Sequence, residues 1–279
     1  MFNIRLIVIF LMAAFAVPVA YAQQVSSLSE SSDEKKSEPK VGGMINLSRS
    51  SSLYDFNDGS RRDGMDYMAM LNFKINEKYT LRAQGGYSQD LKYSEAADFS
   101  DISINISRSP SKMGKSILMG YRLGAGVPTS KDSHSRQNLL TSLTTGINLA
   151  IDPERLLPGL EISGSMGFGR NIHQYETALD GRVNTQYSAI QAVAVSYGLE
   201  SGLSISGNFS YRSTWSYQGV MRNSFEMTQE IGYQINKNLA LSIGHLNSGS
   251  ALKPNGSEYN IEAFDDNNSI AYASTTLLF

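Results

Sequence analysis

Along most of the chain, apolar and polar residues alternate with a period of two. From Leu203 to Tyr217 the odd positions run Leu203, Ile205, Gly207, Phe209, Tyr211 and on to Trp215, while the even positions are Ser, Asn, Arg and Thr. Successive side chains of an extended strand point to opposite faces, so this segment has one greasy surface and one polar surface. The same alternation runs from Met65 to Ile75, with Tyr67, Ala69, Leu71 and Phe73 on one parity. It recurs at 81–91, 102–106, 117–127, 139–151, 160–172, 187–199, 225–235 and 239–245. With a first strand near 44–54 and a last at 270–279, the pattern predicts an all-β chain of about twelve strands. An even number lets an antiparallel sheet close on itself with both ends of the chain on one side.

The connections sort into two classes. Ile75 to Tyr79, Leu199 to Leu203 and Ile235 to Leu239 each place two large apolar residues around a tight polar turn, and the links at 109–115 and 152–159 are modest. Links of the opposite parity are longer: 55–64, 92–98, 128–137, 174–182, 218–223 and 248–268. Short turns alternating with long loops are the signature of a transmembrane antiparallel β-barrel. In hydrocarbon no backbone donor or acceptor can stay unpaired, and closure removes the sheet edges that would leave them so. Aromatic residues fall near both ends of the strands, with Phe73, Tyr79, Tyr197, Tyr233 and Phe279 by the short turns. Tyr87, Tyr187, Trp215, Tyr217 and Phe225 stand by the long loops, as two interfacial girdles require.

The N-terminus carries one positive charge at Arg5, an apolar run from Leu6 to Ala16, and the small-residue site Ala20-Tyr21-Ala22. This reads as a secretory signal peptide (1–22) cleaved after Ala22. Residues 23–40, rich in Ser and charge, are expected to form a disordered periplasmic leader, and residues 41–279 the barrel. The chain ends on Phe279, preceded on the same parity by Leu277, Thr275, Ala273 and Ala271. That ending resembles the terminal-strand signal of Gram-negative outer-membrane β-barrels, and the likeness in pattern covers residues 41–279. Residues 121–130, a strand running into a loop, resemble outer-membrane transporter barrels more faintly. The resemblance implies a location in the cell outer membrane of a Gram-negative bacterium. Outer-membrane lipid and lipopolysaccharide would be its surroundings, and the barrel-assembly machinery would read Phe279.

Composition removes other functions. Twenty-four Lys and Arg against 26 Asp and Glu give a net charge of -2, so there is no basic field for nucleic acid. The absence of cysteine excludes disulfides, thiolate metal sites and cysteine nucleophiles. No cofactor is expected. The acidic groups Asp55, Asp58, Asp63, Asp66 and Glu258, Glu262, Asp265, Asp266 match no calcium-loop spacing and read as solvated loops. His134, beside Asp132, Ser133 and Ser135, and the strand-end residues His173 and His245 are the only material for a rim hydrolase.

Function is then sought on the inner face, where parity places Lys74, Arg82, Asp101, Arg122, Glu161, Arg212, Glu226 and Glu230. Arg212 is expected to meet Glu226 and Glu230 on the next strand, and Arg82 to meet Asp101. Twelve strands enclose a narrow lumen, and the many Ser and Gly on the inner parity leave it space. The reading is a narrow channel or transporter for ions or small solutes, its selectivity set by these charges. The alternative is a structural or surface-interaction barrel without transport; a rim-located hydrolase ranks third.

Overall fold

The computed structural model describes residues 40–53, 63–92, 97–265 and 268–279. The signal peptide with its cleavage site at Ala22, the leader up to residue 39 and most of the 55–64 loop lie outside those residues.

The strands are β1 (Val41–Ser52), β2 (Asp63–Lys74), β3 (Tyr79–Asp90), β4 (Ala97–Phe99), β5 (Ile102–Met113), β6 (Ile117–Val127) and β7 (Leu139–Ile151). They continue as β8 (Leu160–His173), β9 (Thr185–Gly198), β10 (Leu203–Ser216), β11 (Met221–Asn236), β12 (Leu239–Ser250) and β13 (Ser269–Leu278). All pairings are antiparallel and, apart from β4 and β5, join sequence neighbours; β1 pairs with β13, and the sheet is closed. β4 and β5 both pair with β3 and lie on one path interrupted at Ser100 and Asp101, so the thirteen segments make a barrel of twelve strands. Except for β4 each strand has 10 to 16 residues, enough to cross a bilayer at the usual tilt of about 45°.

Closure explains the stagger. Following paired residues from Met44 once around the sheet returns to β1 about 16 positions higher, which for twelve strands corresponds to a tilt of roughly 40°. With strands ~4.8 Å apart, a circular barrel of this kind is ~25 Å across between backbones, wide enough for a lumen lined by side chains.

The seam between first and last strands is closed by the chain terminus. The carbonyl of Phe279 accepts from Gly43 N at 2.7 Å, and Phe279 N donates to Gly43 O at 3.1 Å. The Phe279 ring lies across Gly43, where a Cβ would collide with it. An aromatic ring covering a strand glycine of the neighbouring strand keeps the sheet packed where the glycine offers no side chain.

Several boundaries differ from expectation. The strand anticipated at 102–106 runs to Met113, because a register shift between Arg108 and Ser111 absorbs Pro110. A bulge is where an antiparallel strand tolerates a proline. The strand anticipated at 239–245 continues to Ser250. The long loop expected at 218–223 is a tight turn, with Gly219 at φ +77° and Val220 O accepting from Ser216 N at 3.0 Å. Two aromatics leave the expected upper girdle. Phe225 is buried on the outer face, and the Tyr217 hydroxyl donates to Asn171 O at 3.2 Å at the end of β8.

Candidate functional site: the inner face of the barrel

Parity and pairing fix which side chains face inward. On β1, β2 and β13 the inward positions include Met44, Met70 and Thr276, all nearly inaccessible, while Ile45, Leu71 and Leu277 on the opposite parity are exposed on the outer wall.

Counted along the stagger, Arg82 (β3), Arg122 (β6) and Glu230 (β11) occupy one layer within about 5 Å of height. β3 and β6 are the third and fifth strands around the ring and β11 the tenth, so two guanidinium groups stand on the wall opposite a carboxylate. Each is held by specific neighbours. Arg82 Nε donates to Asn72 Oδ1 at 2.7 Å, and the charge of Arg122 acts on it. Arg122 lies over Gly146, where a Cβ would press on its Nε at 3.3 Å. On the far wall, the Tyr272 ring crosses Gly244 and its hydroxyl donates to Glu230 Oε2 at 2.8 Å. Ser242 Oγ and Ser274 Oγ, one rung below, are 2.7 Å apart. Neither Tyr272 nor Gly244 was singled out from sequence; a glycine inside a strand with an aromatic residue in the paired strand is the signal that marks such a contact.

The remaining candidates distribute along the axis. Glu226 and Arg212 sit about 10 Å above this layer, by the same count, toward the long loops. Arg212 pairs in register with Ser224, and Glu226 with Ser210, so the two charges meet diagonally, and the charge of Arg212 acts on Glu226. Glu230, four residues further along β11, is bonded to Tyr272 instead of Arg212. Lys74 and Glu161 stand near the short-turn end, on β2 and β8.

Asp101 is not in a strand. Its carboxylate accepts from Thr129 N at 3.1 Å, Ser130 N at 2.9 Å and Ser133 Oγ at 2.5 Å. It therefore ties the β6–β7 loop, with its short helical turn Asp132–Arg136, to the start of β5, and the expected Arg82 pairing is replaced by Asn72. The same loop is joined on its other side to β8–β9, where Leu179 N donates to Arg136 O at 2.9 Å and Asn184 Nδ2 to Gln137 O at 3.0 Å.

Outside the membrane span, the turn after β7 carries one strong ion pair. Lys112 Nζ is 2.9 Å from Asp152 Oδ2, and that hydrogen bond holds the Asp152 carboxyl below its ordinary range. The histidines stand apart. His134 Nδ1 is 3.4 Å from Ser135 Oγ, His173 meets the Tyr217 hydroxyl, and His245 stacks on Phe264. Among the described residues no group of three or more His, Asp or Glu is arranged to hold a metal ion.

A closed sheet of twelve staggered strands, with Lys40 and Phe279 both at the short-turn side, matches solved barrels. The fold is that of outer-membrane β-barrel channels. The COG4313 outer-membrane channel from Pseudomonas putida F1 superposes with a TM-score of 0.57 at 9% identity, over 88% of this chain and all of that one. The NanC porin superposes with a TM-score of 0.57 at 9% identity, over 85% of this chain and 99% of the porin. No family model and no curated protein matches the sequence.

Proposed function

We propose that the barrel lies in the outer membrane as a narrow channel for ions or small solutes, and that Arg82, Arg122 and Glu230 set its ion preference. The observation that carries this reading is one inner layer in which two guanidinium groups face a carboxylate across the barrel, Arg122 seated over Gly146 and the Tyr272 that holds Glu230 seated over Gly244. In a water-filled lumen the sign of charge on the walls decides which ions pass. The upper pair Arg212 and Glu226 compensates itself and steers less. Lipid and lipopolysaccharide surround the outer wall, the assembly machinery reads the strand ending at Phe279, and the β6–β7 histidine turn serves the loop network without catalysis.

Planar-bilayer conductance tests it. Glu230→Gln should shift selectivity toward anions, and Arg82→Gln with Arg122→Gln toward cations, with conductance retained. Conductance seen only after residues 23–40 are deleted would make the leader a plug. Absence of conductance from the full chain and from that deletion would replace the channel by a surface-interaction barrel.

A further inference from the structure

The upper aromatic girdle of the outer wall is interrupted on one side. Counted along the stagger, this girdle stands about 16–26 Å above the lower one, near the edge of an apolar band ~25 Å tall. Tyr67, Tyr87 and Phe99 form one run of it, with ring centroids 5.9 and 5.1 Å apart, and Phe168 stacks on Tyr187 at 5.6 Å. Across β12, β13 and β1 the outward residues of the same zone include His245, Asn247, Ser269, Ala271 and Arg49, with no Phe, Tyr or Trp among them. Gln229 of β11 lies just below, also on the outward parity.

Residues 251–265, which follow β12, fold back onto this gap. Asn247 Nδ2 donates to Glu262 O at 2.7 Å, and Phe264 stacks on His245 at 4.3 Å. Tyr259 comes close enough to Tyr211 of β10 for one phenol to act on the other. His245, Asn247 and Tyr211 all lie on the outward parity, so the segment runs outside the barrel at the depth of the girdle. Asn247 and Phe225, which that parity would otherwise expose, are buried there, while Tyr259 and Phe264 are 76% and 63% exposed. Acyl chains offer nothing to the Asn247 carboxamide, which the Glu262 carbonyl satisfies. The only cation of the segment, Lys253, is 3.2 Å from Glu258.

We infer that residues 251–265 are a membrane-facing strap that replaces the missing part of the girdle. Through Tyr259 and Phe264 the strap meets lipid at the headgroup–acyl boundary of the leaflet on the long-loop side. Amphipathic rings favour that depth. The surface on either side of the strap argues for lipid as the occupant. Tyr187 and Tyr211 approach it from one side and Tyr67 from the other, so the two exposed rings continue a belt that the bilayer already surrounds. The strap also sorts the polar groups of this wall, turning Asn247 and His245 toward its own chain and its apolar rings toward the membrane. The inference rests on the membrane-spanning part of the proposed function and is independent of conductance.

The chain has a single tryptophan, Trp215, so a Trp215→Phe background reports cleanly on new ones. In that background the full chain is folded into phosphatidylcholine vesicles with or without bromine on the acyl chains, and heat-modifiable mobility shows that each variant is folded. Phe264→Trp should lose its emission to acyl bromine as Leu123→Trp does on the exposed wall of β6, and should resist iodide in the water. Tyr259→Trp, the second reporter should Phe264→Trp fail to fold, should respond more to bromine placed near the headgroup than to bromine deep in the chains. Quenching of the strap reporters by iodide and not by bromine overturns the inference. Protection from both quenchers, as a covering protein would give, overturns it too. An unquenched strap beside a quenched Leu123→Trp defeats this inference alone, whereas escape of Leu123→Trp from bromine defeats the membrane-spanning reading and the strap with it.

Discussion

The two sides of the outer wall carry different chemistry at one depth. On β5, β6 and β8 the outward residues at mid-height are Ile104, Leu123 and Met166, all exposed; on β11, β12 and β1 they are Gln229, His245 and Arg49. Both sides belong to one hydrogen-bonded sheet, so backbone pairing is satisfied equally in each. What differs is the solvent that each wall can tolerate. The first is complementary to acyl chains, and the second carries polar groups that the chain itself answers, Arg49 paired with Asp63 at 3.2 Å and His245 stacked on Phe264. A closed barrel decides where its strands go through hydrogen bonds, and its outer side chains then decide which part faces lipid.

The largest expected effect compares the two walls directly. A cationic side chain at the bilayer midplane of a barrel costs roughly 2–4 kcal/mol. Ile104→Arg should therefore lose about that much stability in denaturant titrations of the lipid-embedded barrel, while Gln229→Arg should lose less than about half of it. Equal losses would mean that both walls face acyl chains. The seam comes next. Phe279→Ala removes the ring over Gly43 at the base of the polar wall, and folded, heat-modifiable protein should fall, with a cost of about 1–3 kcal/mol for the lost apolar contact. Gly43→Val should do the same by displacing the ring. An undiminished folded yield in both variants would separate the terminal residue from barrel closure.

The smallest effect lies below the apolar wall, at Asp152. Its folded carboxyl is held below the ordinary value by Lys112, so the pair contributes stability at pH above the unfolded carboxylate value, near 4. That contribution fades as pH falls through the lower folded value. Because Lys112 is largely exposed, the effect is small. Asp152→Asn should lower the unfolding midpoint slightly at pH 7, by an amount that shrinks as pH falls below about 4; a difference that does not shrink in acid would assign it to the cap on Glu154 N, whose hydrogen bond Asp152 Oδ1 also accepts at 3.2 Å.

The strand count, the parity of each wall and the two classes of connection were legible in the sequence, because a side chain's face in a strand depends only on its position and hydrocarbon admits only one parity. The inward placement of Arg82, Arg122 and Glu230 follows from the same rule. The apolar parity also carried the exceptions at Arg49, Gln229 and His245 in plain view, and period-two counting averaged them away.

Partnership was not legible. Sequence neighbours suggested that Arg82 meets Asp101 and that Arg212 meets Glu230. Yet a pairing within a sheet depends on stagger, and stagger depends on bulges such as the one at Pro110 and on turns such as Tyr217–Val220. One residue of shift moves a charge to the other face, and a few move it out of reach along the barrel axis. The alternation of residues determined that this chain closes into a barrel with a greasy exterior and a polar interior. Only the closed sheet, by fixing stagger over all twelve strands at once, decided that two arginines face a glutamate in one layer, that Tyr272 holds that glutamate across Gly244, and that Asp101 ties a loop.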